Sequence, residues 1–107
     1  MILTVFRARL RLEAADEYFE TAQRISAIAK TMPGYISHKL FVAEDGERLT
    51  LVEFESAEAL KAWSTHADHV QAKVLGRENF YASYRFQVCT VDRDRSFPLV
   101  AATSAES

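Results

Sequence analysis

Residues 35–55 read YISHKLFVAEDGERLTLVEFE, two apolar-rich runs joined by Glu44-Asp45-Gly46-Glu47. Each run has the length and the β-branched and aromatic content of a strand, and the Asp-Gly pair suits the tight reversal between antiparallel neighbours. Upstream, Phe6, Ala8, Leu10 and Leu12 alternate with Arg7, Arg9 and Arg11. That period of two predicts a first strand with one wet face. Between them, Tyr18, Phe19, Ala22, Ile25, Ala29 and Met32 recur at spacings of three and four. The spacing predicts an amphipathic helix of about five turns, ended by Pro33-Gly34. Downstream, Ser56 is placed to cap a short helix through Trp63, and a second helix is expected from Thr65 to Leu75 with Gly76 as its stop. Phe80 to Val91 then reads as a long fourth strand.

The order β-α-β-β-α-β defines an α+β domain of ferredoxin-like layout, an antiparallel four-stranded sheet with its helices on one face. Strict alternation sets Leu3, Val5, Tyr35, Phe41, Tyr81, Cys89 and Val91 on the face opposite Phe6, Ile36, Leu40, Tyr84, Phe86 and Val88. Both faces are therefore apolar, yet the chain has helices for only one. A homodimer joined through the sheet faces is the simplest way to bury the other. The chain length of 107 residues points the same way, because a single chain of that size buries only about two-thirds of its unfolded surface. With three Gly, two Pro and no linker, one domain is expected over 1–95. The segment 96–107, SFPLVAATSAES, is expected to be a weakly structured tail, with Phe97, Leu99 and Val100 able to dock on a neighbour.

Composition removes several functions. Thirteen Lys and Arg against fifteen Asp and Glu leave no cationic surplus for nucleic acid or anionic lipid. The first apolar run stops at Phe6, too short for a signal peptide or a spanning helix. Cys89 is the only cysteine, so neither an internal disulfide nor a thiolate metal cluster is expected, and the compartment expected is the cytoplasm. No Gly-rich phosphate loop, strained Ser turn or His-Glu-x-x-His zinc helix occurs.

The chemistry-bearing residues gather in WSTHADHVQAKVLGR (63–77), where His66, His69 and Lys73 share a helical flank. A helical wheel turns His66 further inward than His69. Two imidazoles without a third ligand do not define a metal site. His38 falls on the apolar register of the second strand, suited either to a core hydrogen bond or to a cavity wall. Trp63 has the position of a core residue. Arg77 suits either a helix C-terminus or an acidic ligand. Alternation separates Tyr81 from Tyr84 and turns Tyr84 toward the helices. Glu53 lies opposite Phe54 in register, with Arg7 and Arg9 as natural partners, and Cys89 reads as a small buried apolar residue.

Three segments, PGYISHKLF (33–41), LTLVEFESAEALKAW (49–63) and HADHVQAKVLGRENFYASYRFQVCTVDRD (66–94), together resemble the antibiotic biosynthesis monooxygenase-like domains of the dimeric α+β barrel superfamily. The resemblance covers Met1 to about Phe97. It implies dimers paired through their sheets, with a cavity between sheet and helices in each subunit. Activities implied are cofactor-independent oxidation of phenols to quinones by O2 and oxidative heme degradation. The quinone-forming branch uses an Asn on the third strand and a Trp four residues later, where this chain has Thr50 and Phe54. The heme-degrading branch uses an early Asn, absent here, a Trp that matches Trp63, and an axial His where Lys73 stands, one turn after His69. The reading that follows is a monooxygenase free of cofactor and metal, acting on an aromatic or phenolic molecule in a pocket of Trp63, Phe54, Tyr84 and His66. His69 or His38 would be its base, and Arg77 would stabilise the anion. The alternatives are a heme protein with His69 as axial ligand and a non-catalytic dimeric binder of small molecules.

Overall fold

The computed structural model describes residues 1–97; Leu99 and Val100, and most of the expected tail, lie outside them. The strands are β1 (Ile2–Leu10), β2 (Tyr35–Val42), β3 (Arg48–Phe54) and β4 (Tyr81–Thr90). The helices are α1 (Ala15–Ala29), α2 (Ala57–Ser64) and α3 (Ala67–Leu75), with a 3-10 turn at Leu12–Ala14 and a π-helical turn at Gly76–Phe80. Neighbouring strands run β2-β3-β1-β4, all antiparallel. This is the ferredoxin-like α+β arrangement expected from the pattern of the chain.

Helix α1 has 15 residues, about four turns rather than five. It closes at Ala29 because the Thr31 hydroxyl and backbone amide both bond to the Ile28 carbonyl, drawing the chain out of the helical path. Gly34 follows with φ +85°, and a Cβ there would collide with Ala59 of α2. Glycine is thus required both for the left-handed turn and for the approach of α2. Ser56 caps α2, its Oγ accepting from the Ala59 amide at 3.1 Å. Gly76 does not stop α3. It keeps helical angles and leads into the π-helical turn, and its missing side chain makes room for the Tyr81 ring, which a Cβ would meet at 2.6 Å.

Register decides which residues face the helices. Along β1, Ile2 pairs with Phe54 and Thr90, while Ala8 pairs with Arg48 and Tyr84. Thr4 and Ala8 are buried, and Ile2 packs with Phe54, Ala29 and Trp63, so the even positions of β1 lie under the helices. Two bulges break the alternation. One places an extra Ile36 between Tyr35 and Ser37 of β2; the other places an extra Ala82 opposite the Arg9–Leu10 step of β1. Each moves one tyrosine across the sheet. Tyr35 meets Phe54 edge-on at 6.3 Å, and Tyr81 packs at 5.9 Å from Tyr18 and 5.8 Å from Tyr84. Strict parity put both on the uncovered face and separated Tyr81 from Tyr84; the bulges reverse both assignments.

The uncovered face carries Leu3, Val5, Leu49, Leu51 and Phe41 at its centre. Arg7 donates two bonds to the Glu47 carboxylate at 3.0 Å and Arg9 pairs with Asp45 at 2.7 Å, so the hairpin's acids take both arginines. Glu53 accepts the Ser37 hydroxyl instead of meeting them. Cys89 is exposed rather than buried, because β4 is an edge strand and none of the described residues lies over that face.

Candidate functional site

Trp63 is 5% exposed and Phe54 1%, and together with Ala29 they form the buried centre beneath the C-terminal end of α1. Two histidines lie against the indole. His66 is the N-cap of α3, with extended backbone angles and its Nδ1 accepting from the Asp68 amide at 3.2 Å. A residue outside the helix does not obey the helical wheel, and this is why His66 is not the inward imidazole. His69 takes that place. Its ring stacks on Trp63 with centroids 4.4 Å apart and planes 13° from parallel.

The Nδ1 of His69 lies 3.2 Å from the Trp63 carbonyl oxygen. A carbonyl only accepts, so Nδ1 carries the proton and Nε2 keeps a free lone pair in the neutral ring. Burial pulls the His69 pKa below its ordinary value, outweighing the carbonyl bond, with Lys73 and His66 adding to the depression. Lys73 is fixed by donating to the Ser64 carbonyl at 2.8 Å. The result is an imidazole that is neutral near pH 7, oriented, and basic at a single atom.

The remaining candidates are dispersed. His38 stands on the helix side of β2 opposite Val52, exposed, with its pKa lowered by partial burial and by Lys30. Arg77 is exposed on the π-helical turn, without an ion pair among the described residues. Tyr84 pairs with Ala8, six positions along β1 from the Ile2–Phe54 pair, about 20 Å at the rise of a strand. Trp63, Phe54 and His66 are therefore neighbours and Tyr84 is not; the expected four-residue pocket spans two separate ends of the sheet. Phe54 is fully packed and offers no ligand-facing surface. Two recesses, of about 240 and 340 Å³, open on the uncovered face and include none of the histidines. An axial heme ligand, like a base acting on a phenol, needs open space in front of its free nitrogen; stacking on Trp63 covers one ring face of His69 and leaves Nε2, in the ring plane, uncovered by the indole. Among the described residues no three of His, Cys, Asp and Glu converge as metal ligands.

One residue that the sequence pattern did not single out is Arg48. It opens β3 on the core register shared with Thr50, Val52 and Phe54, and its guanidinium lies 5.5 Å from the Tyr18 ring and 5.2 Å from the Phe19 ring. A cation on the apolar parity of a strand was the available signal.

Fold and site together describe a small ferredoxin-like α+β domain with an oriented, neutral histidine against a buried tryptophan. The sequence pattern of the family described as antibiotic biosynthesis monooxygenase matches residues 1–74, and the chain belongs to that family. It is 36% identical over 93 residues to YqjZ of Bacillus subtilis, covering 87% of this chain and 82% of that protein. Its fold is similar to that of Rv0793 from Mycobacterium tuberculosis, with a TM-score of 0.79, 16% identity, and coverage of 89% of this chain and 98% of that one. It is likewise similar to SnoaB, a cofactor-independent oxygenase from Streptomyces nogalater, with a TM-score of 0.73, 15% identity and coverage of 87% and 94%. No helix of the described residues is long and apolar enough to cross a membrane.

Proposed function

We propose that the chain is a cofactor-independent monooxygenase of small phenolic compounds, working in the cytoplasm as a homodimer joined through the uncovered sheet face, with His69 as its base. The observation that carries this reading is the single free nitrogen of His69, held by the Trp63 carbonyl bond and kept unprotonated by burial. A base of this kind takes the phenolic proton at neutral pH. The phenolate then supplies the electrons to O2. One oxygen atom enters the ring, the other leaves as water, and a phenol plus O2 becomes a quinone plus water with no outside reductant. Family membership and the likeness to a cofactor-independent oxygenase support the reaction class. The apolar centre of the uncovered face, Leu3, Val5, Leu49 and Leu51 with exposed Phe41, supports the dimer. His38 is the second candidate base and Arg77 a peripheral cation.

The test is oxygen uptake with a panel of naphthols and anthrones, comparing wild type with His69→Gln and His38→Gln. Wild type is expected to consume one O2 per quinone formed. His69→Gln is expected to lose most of that rate, with His38→Gln near wild type. Uptake by wild type that His69→Gln leaves unchanged overturns the assignment, and no uptake with any phenol overturns the reaction class.

A further inference from the structure

The reversal between β2 and β3 carries the chain's one Asp-Gly step, Asp45-Gly46. Such a step has a reaction of its own. The Gly46 amide nitrogen attacks Cγ of Asp45, a C–N bond forms, the carboxyl group loses one oxygen as water, and a succinimide ring closes. Water then opens the ring at either carbonyl, giving back aspartate or giving isoaspartate, in which the main chain runs through the former side chain. The water lost is the water regained, so no other reactant enters. Glycine favours the attack because it sets no side chain beside the nitrogen. A Cβ at Gly46 would meet nothing within 4 Å, and Glu44, Asp45 and Gly46 are all exposed, so water has access to the ring.

Every reacting group is nevertheless held. The Gly46 N–H donates to the Ala43 carbonyl at 2.9 Å, which engages the nucleophile and its proton. Asp45 Oδ1 accepts the Glu47 N–H at 3.0 Å, which directs the carboxylate to the amide after Gly46. Arg9 of β1 donates to Asp45 Oδ2 at 2.7 Å and to the Asp45 carbonyl oxygen at 3.0 Å, so one guanidinium fixes side chain and main chain together. The Glu47 amide and then Arg9 hold the Asp45 carboxyl below its usual range, and the ionised form is the poorer electrophile because it has no hydroxyl to lose. The first two contacts lie within the hairpin. Arg9 is the restraint that the rest of the fold supplies.

We propose that Asp45-Gly46 is a succinimide-forming modification site and that Arg9 is the positioning residue that restrains it. Isoaspartate lengthens the main chain by one carbon between residues 45 and 46 and turns the carbonyl held by Arg9 into part of a side-chain carboxylate. The two-point contact with Arg9 is then lost, so the modification removes its own restraint. This site is separate from His69 and does not rest on the oxygenase reading.

The experiment ages wild type, Arg9→Gln, Arg9→Lys and Arg24→Gln in neutral buffer made with isotopically labelled water, beside the free peptide AEDGER (43–48). Heavy oxygen at residue 45, read by peptide mass spectrometry, counts ring openings, and an isoaspartate methyltransferase scores the isomer. Wild type is expected to react about tenfold more slowly than the peptide, the scale of one engaged amide. Arg9→Gln is expected to run about two- to fivefold faster than wild type, the scale of an exposed ion pair. Arg9→Lys should fall between them, since an ammonium keeps the charge and loses the fork, and Arg24→Gln, which removes a cation elsewhere, should match wild type. Wild type that reacts as fast as the peptide, or Arg9→Gln no faster than wild type, overturns the inference. Amide exchange in β3 separates opening of the hairpin from loss of the fold; if Arg9→Gln does not fold, Arg9→Lys against wild type decides by the same criterion.

Discussion

Gly76→Ala adds one carbon at a place where the backbone itself would welcome it. The residue has helical angles, φ −58° and ψ −50°, so relief of glycine's entropy cost alone stabilises by up to about 1 kcal/mol. The new methyl, however, would sit 2.6 Å and 3.0 Å from two carbons of the Tyr81 ring. That ring has no easy retreat. Phe6 stands 5.2 Å away on one side, Tyr18 5.9 Å on another, and Tyr84 5.8 Å beyond. Overpacking of this kind costs about 1–3 kcal/mol. The overpacking outweighs the entropy gain, and a net loss of up to about 2 kcal/mol is expected, a fall in Tm of up to about 16 °C for a domain of this size. Thermal and urea unfolding followed by circular dichroism, at one protein concentration, measures it. The double variant supplies the decisive arm: in a Tyr81→Ala background the same Gly76→Ala change is expected to become neutral or stabilising. If Gly76→Ala raises Tm in the wild-type background, or costs the same with and without the Tyr81 ring, the steric reasoning is refuted.

Other expectations follow from the same geometry. Trp63→Ala is expected to cost about 3–5 kcal/mol, because the indole is almost wholly buried against Phe54 and Ala29; a loss below 1 kcal/mol in urea unfolding would contradict its place in the core. Ser56→Ala removes the acceptor for the Ala59 amide and is expected to cost about 1 kcal/mol, readable in the same assay. The pKa of His69 is lower folded than unfolded, so the unfolded chain takes up its proton first on acidification, and stability should fall as pH drops through about 6.5; that limb should be shallower in His69→Gln, and equal slopes would argue against burial of the ring. Leu51→Glu on the uncovered face is expected to give a folded monomer by light scattering where wild type gives a dimer, and a monomeric wild type would overturn that assembly.

The elements were legible because their signals are local. The Asp-Gly reversal, the three-and-four spacing of α1 and the Ser56 cap each depend on residues within a turn or two of one another. Face assignments failed at Tyr35 and Tyr81 because a bulge is set by the partner strand, and neither Ile36 nor Ala82 differs in kind from its neighbours. His66 was misjudged for a related reason: the chain between α2 and α3 breaks where the His66 ring replaces a helical bond with a cap, so a wheel drawn through it has no physical counterpart. His69 against Trp63 was out of reach for the same reason, since the two lie on different helices, and the grouping of Tyr84 with Phe54 failed because only the strand register reveals that they lie beside opposite ends of β1.

The two bulges also shape how this domain can change over generations. Deleting Ala82 would leave Ser83 on Arg9 and Tyr81 on Leu10, a regular ladder with Tyr81 still on the helix side, and deleting Ile36 would do the same for Tyr35. The bulge residues are thus the places where these strands can lose one amino acid without any side chain changing faces. A deletion elsewhere in either strand reverses the faces of every residue on one side of it, and point substitution has no equivalent to that.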